Sequence, residues 1–466
     1  MESSESPISR LPDFLAEMLV FVLTIPALIW PALEQGFPLL YSDTIAYMVS
    51  GQELTTPVDR PLSYGLFIAF FSFGSSLFWV VLAQGFLMSY AIKRFLGIFF
   101  SKPLLPWLHL GICLVLAFFS GMAWYVSTLI PDVFTPILIL LMLSLAFRAR
   151  DRFSGFDGGI IAIILPMHSS HVVFLMLLMA LFLVCLFLPH ARRWMQASSK
   201  ALLFLCFSLA CGYALGLVLN LRGGGKAEFS RGSHMFLVAR LCGDGILKDY
   251  LAEKCNDENT HLSLCKRKNS LPQRSDIFLW NDSVYYDKEC LAAGGWGNCW
   301  EKRKDEYWGI FTDVLSTYPF NLRWFSHVLS NTFSQFTTYR VDPVFAQPEN
   351  LPFKNFIQLY FPSDLPHAEA SAQWKGVVRY DKLSFLQNVL LGLSTLCLVF
   401  ALLKKKNTLP GFGMIFLLTT LALLANSFIC GAFSDVVPRY QGRLIWLFPL
   451  LALVFLAHLI SSKKQA

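Results

Sequence analysis

The run VFTPILILLMLSLAF, residues 133–147, is closed by RARDR, residues 148–152, so an apolar stretch ends in Arg148, Arg150 and Arg152. An apolar run followed at once by a basic block is the pattern of a membrane helix ending at the cytoplasmic surface. The rest of the chain agrees with that reading. Its 466 residues are 55% hydrophobic and only 15% charged, and 43 are Phe. The mean hydropathy is +0.52, outside the range of an ordinary soluble domain. The net charge of +7 lies in short Lys and Arg blocks beside apolar segments, which points to topology rather than to nucleic acid.

Working outward, the turn carrying Pro131 and Asp132 joins this fourth span to a third, Leu105 to Tyr125. The first span, Phe14 to Leu33, is expected to be uncleaved, because no small-residue cleavage site follows it. Glu34 to Ser63, with Asp43, Glu53, Asp59 and Arg60, is too polar for hydrocarbon. Pro61 to Gly74 is expected to be an interfacial helix, and Leu77 to Leu96 a second span ending at Lys93 and Arg94. Downstream, Gly159 to Met167 and His171 to Leu188 form a hairpin whose first arm is short enough to be re-entrant or tilted. Arg192, Arg193 and Lys200 precede a seventh span, Ala201 to Leu221. Lys404, Lys405 and Lys406 separate Phe385 to Leu403 from Phe412 to Cys430, and Lys463 and Lys464 follow Leu444 to Ile460.

All the basic blocks fall on one side of this arrangement, which places both termini in the cytoplasm. The expected fold is an α-helical polytopic membrane protein of about ten transmembrane or re-entrant helices. Its N-terminal transmembrane module covers residues 1–221 and its C-terminal one residues 384–466. Between them, residues 222–383 are polar and contain Pro and Cys, and are expected to form an inserted outer domain, mixed or mainly helical. There is no internal repeat and no low-complexity tract.

Five of the eleven cysteines, Cys242, Cys255, Cys265, Cys290 and Cys299, lie in the insert. In an oxidising compartment the sequence-local pairs Cys255 with Cys265 and Cys290 with Cys299 are the simplest disulfides, leaving Cys242 over. Free thiols and a zinc site are the alternatives, although no His pair accompanies the cysteines.

Candidate chemistry gathers in the outward loops. Leu39-Leu40-Tyr41-Ser42-Asp43-Thr44 places a carboxylate shortly beyond the first span, with Tyr47 on the same side of a short helix, and Val58-Asp59-Arg60-Pro61-Leu62-Ser63-Tyr64-Gly65 follows. Thr128-Leu129-Ile130-Pro131-Asp132 forms the second outward loop, and Val437-Pro438-Arg439-Tyr440 opens the last span, which contains Pro449. In these residues and their order, over Phe14 to Leu221 and Phe385 to Ile460, the chain resembles the GT-C superfamily of polytopic glycosyltransferases, which take sugars from polyprenyl-phosphate carriers. In that superfamily the first outward loop carries an essential Asp or Glu. The insert resembles an uncharacterised family of bacterial membrane proteins through Val238-Ala239-Arg240-Leu241, Asp244-Gly245, Tyr250-Leu251, Cys255, Leu264-Cys265, Phe278-Leu279-Trp280, Ser371-Ala372-Gln373 and Gly376. That second likeness implies a placement and no chemistry.

The GT-C resemblance implies a multi-pass enzyme of the bacterial inner membrane with its site facing the periplasm. It would transfer one hexosyl or pentosyl unit, with inversion, from an undecaprenyl-phosphate donor to a glycan, lipid or protein acceptor. Asp43 is the candidate base for the acceptor hydroxyl. Arg439 and Arg443, with Arg60 as a third, suit the departing phosphate because guanidinium binds it bidentately. Tyr47, Asp59, Asp132 and Tyr440 complete the expected substrate contacts, with His168 and His171, which share a helical face, as phosphate donors or metal ligands. No cofactor is indicated; a divalent cation stays open, although no tight acidic motif is present.

Each residue also has a plainer reading. Ser42-Asp43 can start a helix, Asp132 can complement a helix dipole, the arginines can snorkel, and the histidines can be interfacial. The functional rivals are a polymerase or ligase using diphosphate-linked oligosaccharides, whose reactive arginines would lie in the insert, a transporter or flippase, and a noncatalytic scaffold. A transporter would show repeated halves and charges at the bilayer midplane.

Overall fold

The structure is a computed structural model that describes residues 11–101, 104–148, 154–187, 199–256, 261–282, 292, 296–341, 353–403 and 411–463. Arg150, Arg152, Arg192, Arg193, Lys404 to Lys406, Lys464 and Cys290 lie outside them. The described chain is almost entirely helical and contains no strand.

The first expected span is two helices, α1 (Leu11–Leu28) and α2 (Trp30–Gln35), because Pro31 opens the second and Gly36, at φ 82°, ends it in the left-handed conformation. Next come α3 (Thr44–Glu53), α4 (Ser63–Phe71) and α5 (Phe78–Leu96). The third expected span is also divided, at Ser120 and Gly121, into α6 (Leu104–Phe119) and α7 (Met122–Ser127). The Gly121 N–H donates to Gln387 Oε1 at 2.7 Å, a partner from far along the chain that a continuous helix would exclude. Then follow α8 (Phe134–Phe147), α9 (Ser154–Ile164), α10 (Ser169–Phe187) and α11 (Ser199–Arg222).

The insert contributes α12 (Ser233–Gly243), α13 (Ile246–Lys254), α14 (Trp296–Lys302), α15 (Lys304–Ser316), α16 (Phe320–Thr337), α17 (Phe353–Tyr360) and α18 (Leu365–Ala370). The chain ends with α19 (Asp381–Leu403), α20 (Phe412–Phe433), α21 (Pro438–Ile445) and α22 (Leu447–Lys463). Among the described residues four stretches, in α11, α19, α20 and the α21–α22 pair, are long and apolar enough to cross a membrane.

Every residue of α8, the helix formed by the run that opened the sequence reading, is buried. It packs against α5, α9, α11, α20 and α21. A helix apolar on all sides is stable only when surrounded, and here protein surrounds it rather than lipid. The insert has a hydrophobic cluster of its own, built from residues such as Val238, Leu247, Trp300, Ile310 and Phe320. Phe353, Ile357, Phe361 and Ala368 of α17, α18 and their link instead join the main cluster of the apolar helices, so physically the insert's own core ends near α16.

Cys255 and Cys265 are joined by a disulfide. Cys299 is disulfide-bonded too, and Cys290, the partner expected for it, falls outside the described residues. Cys242 is a buried thiol whose sulfur donates to the Pro272 carbonyl at 3.0 Å.

Two glycines set the crossing of α3 on α4. A methyl on Gly51 would stand 2.0 Å from the Gly65 carbonyl oxygen, and one on Gly65 would stand 2.3 Å from Ser50 Oγ. Gly51→Ala should therefore lower the stability of the detergent-solubilised protein by about 1–3 kcal/mol, the usual range for overpacking. Gly111→Ala, in helix α6 with open space around it, should raise stability by about 0.5–1 kcal/mol through helix propensity alone. Thermal unfolding of both variants measures the contrast, and a neutral Gly51→Ala would contradict the close crossing.

Candidate functional site

The loop that precedes α3 and the loop between α7 and α8 are fastened to each other by backbone. Leu39 and Thr128 form an isolated parallel bridge. In it the Leu39 N–H donates to the Ser127 carbonyl at 2.9 Å, and the Leu129 N–H to the Leu39 carbonyl at 2.9 Å. The Thr44 hydroxyl then donates to the Leu129 carbonyl at 2.9 Å and accepts from the Tyr41 N–H at 3.0 Å. These bonds hold Asp43, at the start of α3, beside the turn that carries Asp132.

Two buried glutamines tie the same region to the later part of the chain. Gln373 accepts from the Leu40 N–H at 2.8 Å and donates to the Leu40 carbonyl at 2.7 Å. Gln335, in α16, treats Val437 in the same way, accepting from its N–H at 2.8 Å and donating to its carbonyl at 2.9 Å. Each amide thus mimics one rung of a β-ladder. One rung holds the residue three positions before Asp43, and the other the residue two positions before Arg439.

The charges meet between these loops. Arg60 reaches Asp59 Oδ2 with Nη2 at 2.6 Å and with Nε at 2.8 Å. It also lies 3.3 Å from Asp43 Oδ1, bonds the Asp43 carbonyl at 3.2 Å and sits over the Tyr47 ring. Asp43 occupies the N-cap position of α3 but makes no side-chain cap hydrogen bond. Its carboxylate turns to the arginines, so capping does not account for it. Asp132 accepts from Arg443 Nη1 at 2.9 Å, and Arg443 Nη2 donates to Asn426 Oδ1 at 2.9 Å. Arg443 is fully buried and therefore does not snorkel.

Arg439 is the incompletely bonded member. It is 7% exposed and stacks on the Tyr41 ring at 4.2 Å. Its Nη1 is 3.7 Å from Asp43 Oδ2 and its Nε is 3.7 Å from Asp132 Oδ1, near enough for charge attraction but too long for hydrogen bonds. Both nitrogens are buried without a hydrogen-bond partner. Such groups carry their desolvation cost uncompensated, so this guanidinium is suited to an oxygen-rich anion. Asp43 remains open to a ligand, its side chain 29% exposed. Burial acts to raise its pKa, but the Arg60 and Arg439 guanidiniums outweigh burial and hold the carboxyl below its usual value.

Tyr440 lies beneath both Arg439 and Arg443, and its hydroxyl is 3.5 Å from Ser434 Oγ. The His168 and His171 rings are 5.4 Å apart, with different surroundings. His171 is buried and spends one nitrogen on Thr135 at 3.1 Å and the other on the Ile164 carbonyl at 3.2 Å, leaving neither for a ligand. His168 is half-buried and accepts at Nδ1 from the Ser170 N–H, so Nε2 carries its proton. Burial first, then Arg443 and Arg439, push its pKa down to about 3, so near neutral pH it is an uncharged donor. Among the described residues no group of three or more His, Cys, Asp or Glu is placed to share a metal ion; the acids Asp43, Asp59 and Asp132 each face an arginine.

Sequence reasoning did not find Tyr41, Asn426, Gln335 or Gln373. Tyr41 and Gln373 stood in quoted segments without a role, and Asn426 and Gln335 carry no local signal.

The two acids should separate by stability. Asp132→Ala leaves the buried Arg443 charge unpaired and should cost about 3–5 kcal/mol, whereas Asp43→Asn, at a half-open position, should change unfolding by less than about 1 kcal/mol. Thermal and denaturant unfolding of the two purified variants provides the comparison. Comparison of the chain with protein-family models, curated proteins and solved structures finds no match, so the geometry is what carries the functional reading.

Proposed function

We propose that the protein is a GT-C-type glycosyltransferase of the bacterial inner membrane. It moves one sugar from an undecaprenyl-phosphate donor to a glycan, lipid or protein acceptor on the periplasmic side. The single observation that carries the reading is Arg439, a buried guanidinium with two open N–H groups, poised between Asp43 and Asp132. In this reading the chain crosses the membrane about ten times, with both termini cytoplasmic and residues 222–383 outside.

The donor phosphate takes the open Nε and Nη1 of Arg439, and the neutral His168 donates from Nε2. Both terminal nitrogens of Arg443 are taken by Asp132 and Asn426, so in this reading it fixes the site rather than gripping phosphate with its fork. Asp43 accepts the proton of the acceptor hydroxyl as its oxygen attacks the anomeric carbon. The bond from that carbon to the phosphate oxygen breaks, and the leaving phosphate keeps the electron pair. When the phosphate claims Arg439, Asp43 loses one of its two cationic neighbours and becomes a stronger base. Attack from the face opposite the phosphate inverts the anomeric carbon. Arginines aimed at the departing charge supply much of the acceleration.

Purified protein, a synthetic polyprenyl-phosphate sugar and an acceptor extract test the assignment. Asp43→Asn should lower turnover by about 100-fold or more with folding intact. Arg439→Lys keeps the charge without the fork, and should weaken donor binding less than Arg439→Ala does. Unchanged transfer by Asp43→Asn would remove it as the base.

The pH profile gives an independent check. The Arg60 and Arg439 guanidiniums hold the Asp43 carboxyl below the ordinary aspartate value, so its ionised form persists through mildly acidic pH. Activity dependent on it is lost only as pH falls through the depressed pKa. Arg60→Met removes the largest lowering influence, and the acid limb of kcat/KM should move upward. An acid limb left in place by Arg60→Met would contradict Asp43 as the titrating base.

A further inference from the structure

Helix α16 buries Phe320, Val328 and Gln335 yet leaves a second, large apolar stripe exposed, which a helix in water would not do. Its polar side chains His327, Asn331 and Gln335 reach neighbouring elements. Asn331 donates to Asp244 Oδ1 at 3.1 Å, His327 Nδ1 is 3.6 Å from the same oxygen, and Gln335 holds Val437. Turned outward are Leu322, Phe325, Leu329 and Phe333, which are 60%, 55%, 57% and 72% exposed. Between Leu322 and Phe333 the remaining exposed positions are the small Ser326 and Ser330, and Arg323, at the start of the helix, is its charged residue. In water the hydrophobic effect would bury that stripe and expose the polar face. The stripe extends over most of the helix, far more than a stray surface leucine.

Its place in the fold says what covers it. Helix α16 packs along α20, one of the helices long and apolar enough to cross a membrane. A methyl on Gly431, near the end of α20, would stand 2.8 Å from the Asn331 backbone. Phe336, near the C-terminal end of α16, and Tyr339, just beyond it, pack on the main apolar cluster, whereas Phe320 at the N-terminal end belongs to the insert's core. The stripe therefore continues the outward face of α20, where Leu417 and Leu424 are exposed. At the opposite end, Arg323 pairs with Asp249 at 2.7 Å on an exposed surface, where the surroundings return to water.

We infer that α16 is sunk in the outer leaflet, its stripe of Leu322, Phe325, Leu329 and Phe333 occupied by lipid acyl chains, so that the insert is anchored in hydrocarbon as well as by its chain ends. Helix α16 is thus an interfacial helix whose apolar face meets lipid. The same helix carries Gln335, so the rung that holds Val437 is seated at a fixed depth. This inference rests on the membrane reading and is independent of the transferase reading.

Nitroxide labels at Phe325→Cys, Leu329→Cys and Phe333→Cys decide it, each in full-length protein whose Cys185, Cys206, Cys211 and Cys397 are replaced by alanine. The protein is reconstituted in phosphatidylethanolamine–phosphatidylglycerol nanodiscs, and collision rates with oxygen and with a water-soluble nickel chelate are measured. Leu396→Cys on α19 is the lipid reference and Lys248→Cys the aqueous one, both being exposed positions. The expected result is an oxygen-to-nickel ratio matching Leu396→Cys and several-fold above Lys248→Cys. A ratio equal to that of Lys248→Cys would overturn the inference by placing the stripe in water. Low access to both reagents, with spin broadening that disappears on dilution by unlabelled protein, would overturn it in favour of a second copy packing through Ser326, Ser330 and Ser334. If one variant fails to fold, the other two labels on the same stripe carry the measurement, and none of them touches the charged site.

Discussion

Arg443 is buried completely, and its charge is tolerable there because Asp132 and Asn426 take its two terminal nitrogens. A lone guanidinium in that position would cost several kcal/mol. The three partners come from the turn before α8, from α20 and from α21, so the requirement to neutralise one charge closes the C-terminal helices on the N-terminal ones. Arg439 is four residues earlier, one turn away on the same face of α21. Once Arg443 is paired, Arg439 has no choice but to stand beside Asp132 and Asp43.

The rest of the site is held by backbone. The Leu39–Thr128 bridge joins the loop before α3 to the loop before α8, the Gln373 amide joins the first of these to the insert, and the Gln335 amide joins the insert to the entry of α21. Reciprocal bonds to one residue's N–H and carbonyl fix rotation as well as distance. They place residues three positions before Asp43 and two before Arg439, close enough in the chain for the fix to reach the side chains. The insert is thereby part of the frame that sets the spacing of acid and arginine.

That frame leaves some polar capacity unused on purpose-built groups. Arg439 Nε and Nη1, Arg443 Nε and Asp59 Oδ1 are buried without hydrogen bonds, all within the charged region. Buried polar atoms are ordinarily paired, and the three arginine nitrogens among these lie beside a half-open carboxylate, where an anion would satisfy them. Asp157, in α9, shows the contrast: Arg94 Nε donates to both of its oxygens, at 3.1 Å and 2.9 Å, Arg94 Nη2 donates to Oδ2 at 2.5 Å, and the Tyr90 hydroxyl adds a further bond at 2.6 Å. That pair is satisfied within the chain and asks for nothing more.

Helical character and the positions of most apolar helices were legible in the sequence, because hydropathy and basic punctuation are local properties. Asp43, Asp132 and Arg439 stood out as charges near the ends of apolar runs, and the tertiary structure brings all three together. Other features had no local signature. Gln373 lies 333 residues from Leu40, and Gln335 lies 102 from Val437; a glutamine's partner is set by the fold. The divisions of the first and third expected spans depend on Pro31 and on the Gly121–Gln387 bond, the second of which exists only once α19 is packed. The run 133–147 is the clearest case. Its composition determined that it must leave water, since apolar side chains gain about as much from lipid as from protein. Only packing decided that α8 is enclosed by other helices, whereas α16, much more polar in sequence, turns its apolar side outward.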